Sequence, residues 1–103
     1  MRNDLTFREW FGLPHGQGRA LASLYEAGGS PVSRDALLAA GRLWPSSMNF
    51  TLSMIRMALG PGAIENVPNR GWRLTNLGLA ECRAAIAGIQ LLHPQFSREE
   101  AAA

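Results

Sequence analysis

A mainly helical fold with one small β hairpin is the class this sequence predicts, and three observations predict it. Apolar residues recur at intervals of three and four along most of the chain, the spacing that lines one face of a helix. Glycine and proline clusters at Gly12-Leu13-Pro14, Gly28-Gly29-Ser30-Pro31 and Gly60-Pro61-Gly62 cut that pattern into short elements. Two β-forming runs, Ile64–Val67 and Trp72–Leu74, flank the turn tetrad Pro68-Asn69-Arg70-Gly71. A chain of 103 residues has room for one domain around one core.

Taken in order, Thr6-Phe7-Arg8-Glu9 has the form of a capping box, which starts a short helix running to about Phe11. Gly12 to Gly16 breaks it. A second helix spans about Gln17 to Ala27, with Leu21, Leu24 and Tyr25 on one side, and Gly28-Gly29 stops it. Ser30-Pro31-Val32 is extended because Pro31 disfavours helix at the residue before it. Ser33 caps a short helix from Arg34 to Ala40, and Gly41 ends that helix. A turn from Arg42 to Pro45 leads to a third main helix, about Ser46 to Leu59, with Ser46 or Ser47 as its N-cap. Met48, Leu52, Ile55 and Leu59 form its buried stripe. After the hairpin, Thr75 caps a last helix to about Leu92 that carries Cys82, Ala85, Ile86, Ile89 and Leu92 on one face. The ordered domain therefore covers residues 1–93, and residues 94–103 are expected to be a disordered tail.

Helix, helix, turn, helix, hairpin, helix is the order of a winged helix-turn-helix: a three-helix core and a two-stranded wing, here with an extra N-terminal helix and a long C-terminal one. The helix-turn-helix falls at about 33–59 and the wing at about 63–74. Three segments carry a more specific likeness. Val32-Ser33-Arg34-Asp35-Ala36-Leu37-Leu38 resembles the first helix of the DNA-binding effector domain of OmpR-type response regulators. Leu52-Ser53-Met54-Ile55-Arg56-Met57-Ala58-Leu59 resembles that domain's recognition helix, and Ile64 to Leu74 resembles its wing, with Trp72 following a glycine and preceding a basic residue and a leucine. The likeness covers about residues 19 to 74 and includes no receiver domain. It implies a small bacterial or phage transcription regulator that binds double-stranded DNA, with the third helix in the major groove and the wing on the backbone or minor groove.

Carried over position by position, the resemblance implies recognition-helix contacts from Ser46, Ser47, Phe50, Thr51, Ser53, Met54 and Arg56, and wing contacts from Asn69, Arg70 and Arg73. Arg42, in the turn before the third helix, is a further phosphate candidate. The family pattern has a basic residue where Pro68 stands. The recognition helix departs further from that pattern, because only Arg56 is charged and Phe50, Ser53, Met54 and Met57 lie opposite the buried stripe. That neutral, apolar face suits thymine methyl groups, yet it releases few counterions. It equally suits a protein partner such as RNA polymerase or another regulator, or packing beneath the first helix with Trp10 and Phe11. The bland reading of Arg70 and Arg73 is that they keep the hairpin soluble.

Composition bounds the rest. All ten basic residues are Arg and the net charge is +2. Guanidinium suits phosphate and base edges, and biased codon usage in a GC-rich genome would give the same count. A single cysteine allows no internal disulfide. Asp4, Arg8 and Glu9 interrupt any signal-like apolar run, and no run is long enough for a membrane span, so a soluble cytoplasmic protein is expected. His15 and His93 lack neighbours at metal-ligand spacing, and no nucleophile–base pairing is visible, so neither enzyme activity, metal nor cofactor is expected. The last helix, at roughly 27 Å, exceeds what closure of so small a domain needs; its Cys82, Ala85, Ile86 and Ile89 stripe suits packing on the first helices or pairing with a second copy, and a homodimer through it is the expectation.

Overall fold

The computed structural model describes residues 1–93, so the expected tail, 94–103, lies outside the described residues. Five α-helices and a two-stranded antiparallel sheet follow one another as α1 (Asn3–Phe11), α2 (His15–Glu26), α3 (Arg34–Gly41), α4 (Met48–Leu59), β1 (Ile64–Val67), β2 (Gly71–Leu74) and α5 (Asn76–Leu92). Short 3₁₀ turns at Pro45–Ser47 and Pro61–Ala63 introduce α4 and β1. The core is one cluster to which every element contributes, with Phe7, Leu21, Leu24, Ile55, Leu74 and Cys82 its largest fully enclosed side chains.

The caps read from the sequence form at two of the expected places. Ser33 Oγ accepts the Ala36 N–H at 3.1 Å, and Thr75 Oγ1 accepts the Gly78 N–H at 3.3 Å. Each satisfies a backbone donor that the first helical turn leaves open. Thr75 also donates its own hydroxyl proton to the Gly62 carbonyl at 2.6 Å, which ties the start of α5 to the turn before β1.

Three caps differ. The Thr6–Glu9 capping box does not form: α1 begins at Asn3, with Arg2 as an N-cap that supplies no side-chain bond. Thr6 and Phe7 are the buried residues of this helix, while Glu9 points outward and meets His93 at the end of α5, Oε1 to Nε2 2.9 Å. Neither Ser46 nor Ser47 caps α4 through its side chain, because the 3₁₀ turn that starts from Trp44 feeds directly into the helix. Gly41 is the last residue of α3 rather than its left-handed cap, which falls on Arg42 at φ 53°. Gly41 is needed elsewhere. A Cβ there would lie 2.9 Å from the Gly16 carbonyl oxygen and 2.6 Å from Leu43, so glycine lets α3 approach the start of α2. Arg42 then adopts a backbone that costs an L-residue about 1–2 kcal/mol.

On α4, Met48, Leu52, Ile55 and Leu59 are all buried, as their spacing requires, and Thr51 joins them. On α5, Cys82, Ala85 and Ile89 are buried and Ile86 is half-buried. Leu79 belongs to this inward face as well, whereas Leu92 is exposed because the last turn extends past the core. The expected stripe is thus used within the chain, where α5 packs on α1. The indole of Trp10 in α1 lies against Gly88, where any Cβ would collide with it.

In the hairpin, Ile64 pairs with Leu74 and Val67 with Gly71, and the turn closes through Arg70 N–H to Val67 C=O at 2.9 Å. Asn69 at φ 64° and Gly71 at φ 120° supply the left-handed residues that a tight turn needs. A third segment joins the sheet: Val32 and Trp72 exchange both backbone hydrogen bonds, at 2.7 and 3.0 Å. Gly71 makes that approach possible, since a Cβ on it would collide with the Val32 carbonyl. Gly71→Ala is therefore expected to lower stability by at least about 2 kcal/mol, from left-handed strain and the disturbed pair of hydrogen bonds. Urea unfolding of the variant measures this, and a loss below 0.5 kcal/mol (of the order of an ordinary surface change) would contradict the account.

Candidate nucleic-acid interface

The residues singled out from the sequence fall on three neighbouring elements: the turn from α3 to α4, the outer side of α4, and the hairpin. Their surroundings sort them into those that face solvent and those that do not.

On α4, turning away from the buried stripe leaves Asn49, Phe50, Ser53 and Met57 exposed, with Arg56 half-buried near the end of the helix. Phe50 is 58% exposed and Met57 87%, far beyond what core packing would leave. The alternative that this whole face packs beneath α1 holds for one residue only. Met54 is half-buried against the core and lines a depression with Phe11, Leu13 and Ala58, at whose rim the exposed Met57 stands.

Thr51 must be removed from the candidate surface. It is 2% exposed, and its Oγ1 accepts a hydrogen bond from Gln17 Nε2 at 3.0 Å. This is a buried polar pair linking α2 to α4, each partner satisfying the other away from water. Its signal in the sequence was position: Thr51 lies next to Leu52 and one turn before Ile55, on the inward half of the wheel.

In the turn, Arg42 is exposed, Ser46 is exposed and Ser47 is half-buried. Trp44, between them, is 80% exposed. It was not picked out from the sequence, although a tryptophan outside every apolar stripe is a usable signal. Asn49 was missed as well, one residue past the stripe and so on the outer side.

In the hairpin, Asn69 and Arg70 occupy the exposed tip. Arg70 shares an open cleft with Arg34, the first residue of α3, and with Asp35 and Asn66. Arg34 was not a candidate from the sequence, because only the fold brings the start of α3 against the hairpin. Arg73 is already engaged. Its guanidinium lies 2.7 Å from the Glu65 carboxylate, its direct cross-strand partner. An exposed pair of this kind contributes about 0–1 kcal/mol, but it does occupy the cation.

The charge distribution is uneven. From Arg34 to Arg73 there are five arginines against Asp35 and Glu65, a net charge of +3. In the remaining described residues Arg2, Arg8, Arg19 and Arg83 are balanced by Asp4, Glu9, Glu26 and Glu81. Burial pushes the Cys82 thiol up to about 12, helped by Glu81 and opposed by Arg83, so it stays protonated at neutral pH. Among the described residues no group of three or more His, Cys, Asp or Glu is placed to hold a metal ion. No described helix is long and apolar enough to cross a membrane.

The chain matches no family model, and no curated protein or solved structure matches it.

Thr51→Val is expected to lower stability by about 1–3 kcal/mol, because it leaves the buried Gln17 amide without its acceptor. Adding Gln17→Leu should recover part of that loss. Equal stability of Thr51→Val and the native chain in urea unfolding would mean that the pair does not hold α4 in place.

Proposed function

We propose that this chain is a winged helix-turn-helix regulator that binds double-stranded DNA, with α4 in the major groove and the hairpin as the wing on the adjacent backbone. One observation carries the reading: the chain's excess positive charge falls between Arg34 and Arg73, on the elements that such a fold turns toward DNA. The order of elements supports it, with α2, α3 and α4 as the three helices, Val32 as the short first strand, and β1 and β2 as the wing. Arg34 and Arg70, on either side of one cleft, fit successive phosphate contacts, and Arg42 fits a third. Arg73 contributes through Glu65 to the hairpin rather than to phosphate.

Binding of duplex DNA should therefore weaken steeply as salt rises. Arg70→Ala, Arg34→Ala and Arg42→Ala should each flatten the plot of log affinity against log salt by about 0.9, whereas Arg73→Ala should leave its slope unchanged. Mobility shifts of genomic fragments across a salt series measure this. No shift at low salt, or a slope indifferent to all three variants, would sink the proposal.

A second reading rests on the exposure of Trp44, Phe50 and Met57, apolar side chains that also suit a protein surface such as RNA polymerase or another regulator. It is the reading left if DNA binding fails. A homodimer would use the outer side of α5, because its inner stripe is consumed by the core. Leu77, Ala80, Ala84, Ala87 and Leu91 are all exposed and recur at three, four, three and four, the interval of a coiled-coil seam. Sedimentation equilibrium should show a concentration-dependent dimer in the native chain and a monomer in Ala84→Glu. A native chain that stays monomeric at millimolar concentration would exclude this arrangement.

A further inference from the structure

We propose that α4 selects A·T-rich DNA, reading thymine by its methyl group and adenine by one amide; this deepens the DNA-binding reading above and rests on it. The outer side of the helix offers a short list of exposed groups: Asn49, Phe50, Ser53 and Met57. The major groove asks for different chemistry from each base. Guanine O6 and N7 are best met by an arginine or lysine fork, the cytosine amino group by a carboxylate, adenine N6 and N7 by an asparagine or glutamine amide, and the thymine methyl by an apolar group.

Set against that code, α4 is one-sided. No Asp or Glu occurs between Asp35 and Glu65, so the helix has no carboxylate, the group that best accepts from cytosine. Its single arginine, Arg56, is half-buried and lies in the last turn, away from the end of the helix that enters a groove first. Phe50 and Met57 are the two most exposed apolar side chains of the helix, and they project from the same face two turns apart. Seven residues at 1.5 Å each separate them by about 10 Å, roughly three base-pair steps. Asn49 and Ser53 flank Phe50, and neither side chain has a hydrogen-bond partner among the described residues, so the amide fork and the hydroxyl are available to base edges. Removing Phe50 and Met57 from water against methyl groups recovers apolar burial that the fold itself leaves unused. The phosphate contacts of Arg34, Arg42 and Arg70 supply attraction without sequence preference, so α4 alone carries the discrimination.

Selection from a random duplex pool, followed by remaking the selected duplex with deoxyuridine in place of thymidine, tests this. The exchange removes the methyl and keeps every Watson–Crick and groove hydrogen-bonding group. The expected result is a selected core rich in A·T pairs, with the deoxyuridine duplex bound about fourfold more weakly for each methyl in contact. F50A and M57A, at exposed positions that do not support the core, should weaken binding to the thymidine duplex and bring the two duplexes closer to equal. Arg70→Ala should weaken both and keep their ratio. A G·C-rich core, or equal binding of both duplexes by the native chain, would overturn the proposal and leave DNA binding standing. A native chain that binds no duplex in the pool would overturn both.

Discussion

Two backbone hydrogen bonds between Val32 and Trp72 connect parts of the chain that are forty residues apart, and the arrangement of the outer surface depends on them. Singly, each contributes about 0.5–1.5 kcal/mol. Their larger effect is geometric. They hold the hairpin against the segment that leads into α3, which brings Arg70 and Arg34 to one cleft and lays Trp72 over the core. The pairing is possible only because residue 71 lacks a side chain. One glycine thus serves two purposes, as the left-handed end of a tight turn and as the point where two backbones meet.

A second constraint fixes α4. Apolar packing by Met48, Leu52, Ile55 and Leu59 is non-directional and would tolerate a modest rotation of the helix. The Gln17–Thr51 hydrogen bond is directional and buried, so rotation would cost an unsatisfied polar group. With the inward side set in this way, Asn49, Phe50, Ser53 and Met57 are left facing solvent as a consequence. The surface proposed to read bases is therefore the complement of the surface that holds the helix. Its neutrality is compensated nearby, since the cations lie in the turn, at the start of α3 and at the hairpin tip.

Much of the fold was legible because it is written in short-range spacing. Ser33 and Thr75 are caps because an oxygen three residues before an open N–H can reach it, whatever the rest of the chain does. The stripe of α4 is set by the 3.6-residue period, and the pairing of β1 with β2 by β-forming residues on either side of a tight turn. The same local logic misplaced Thr6. Its pattern with Glu9 fits a capping box, but Thr6 lies beside Phe7 on the inward side of α1, and burial there outweighs one capping bond.

The sequence by itself determined the number, kind and order of the elements and the inward stripe of α4. These follow from residue type and from neighbours within a turn of helix or a strand pair. Only the tertiary structure decided which candidates remain at the surface. Thr51 is withdrawn by a residue 34 positions away, Arg73 is engaged by Glu65 across the hairpin, and Gly41 hands its cap to Arg42 because α2 passes close by. Trp44 is left in solvent, and of the two uses open to the apolar stripe of α5 the fold takes packing on the core, leaving another row exposed. The physical reason is common to all of these. Burial and pairing are competitions among groups brought together by the fold, and periodicity carries no record of which distant group will win.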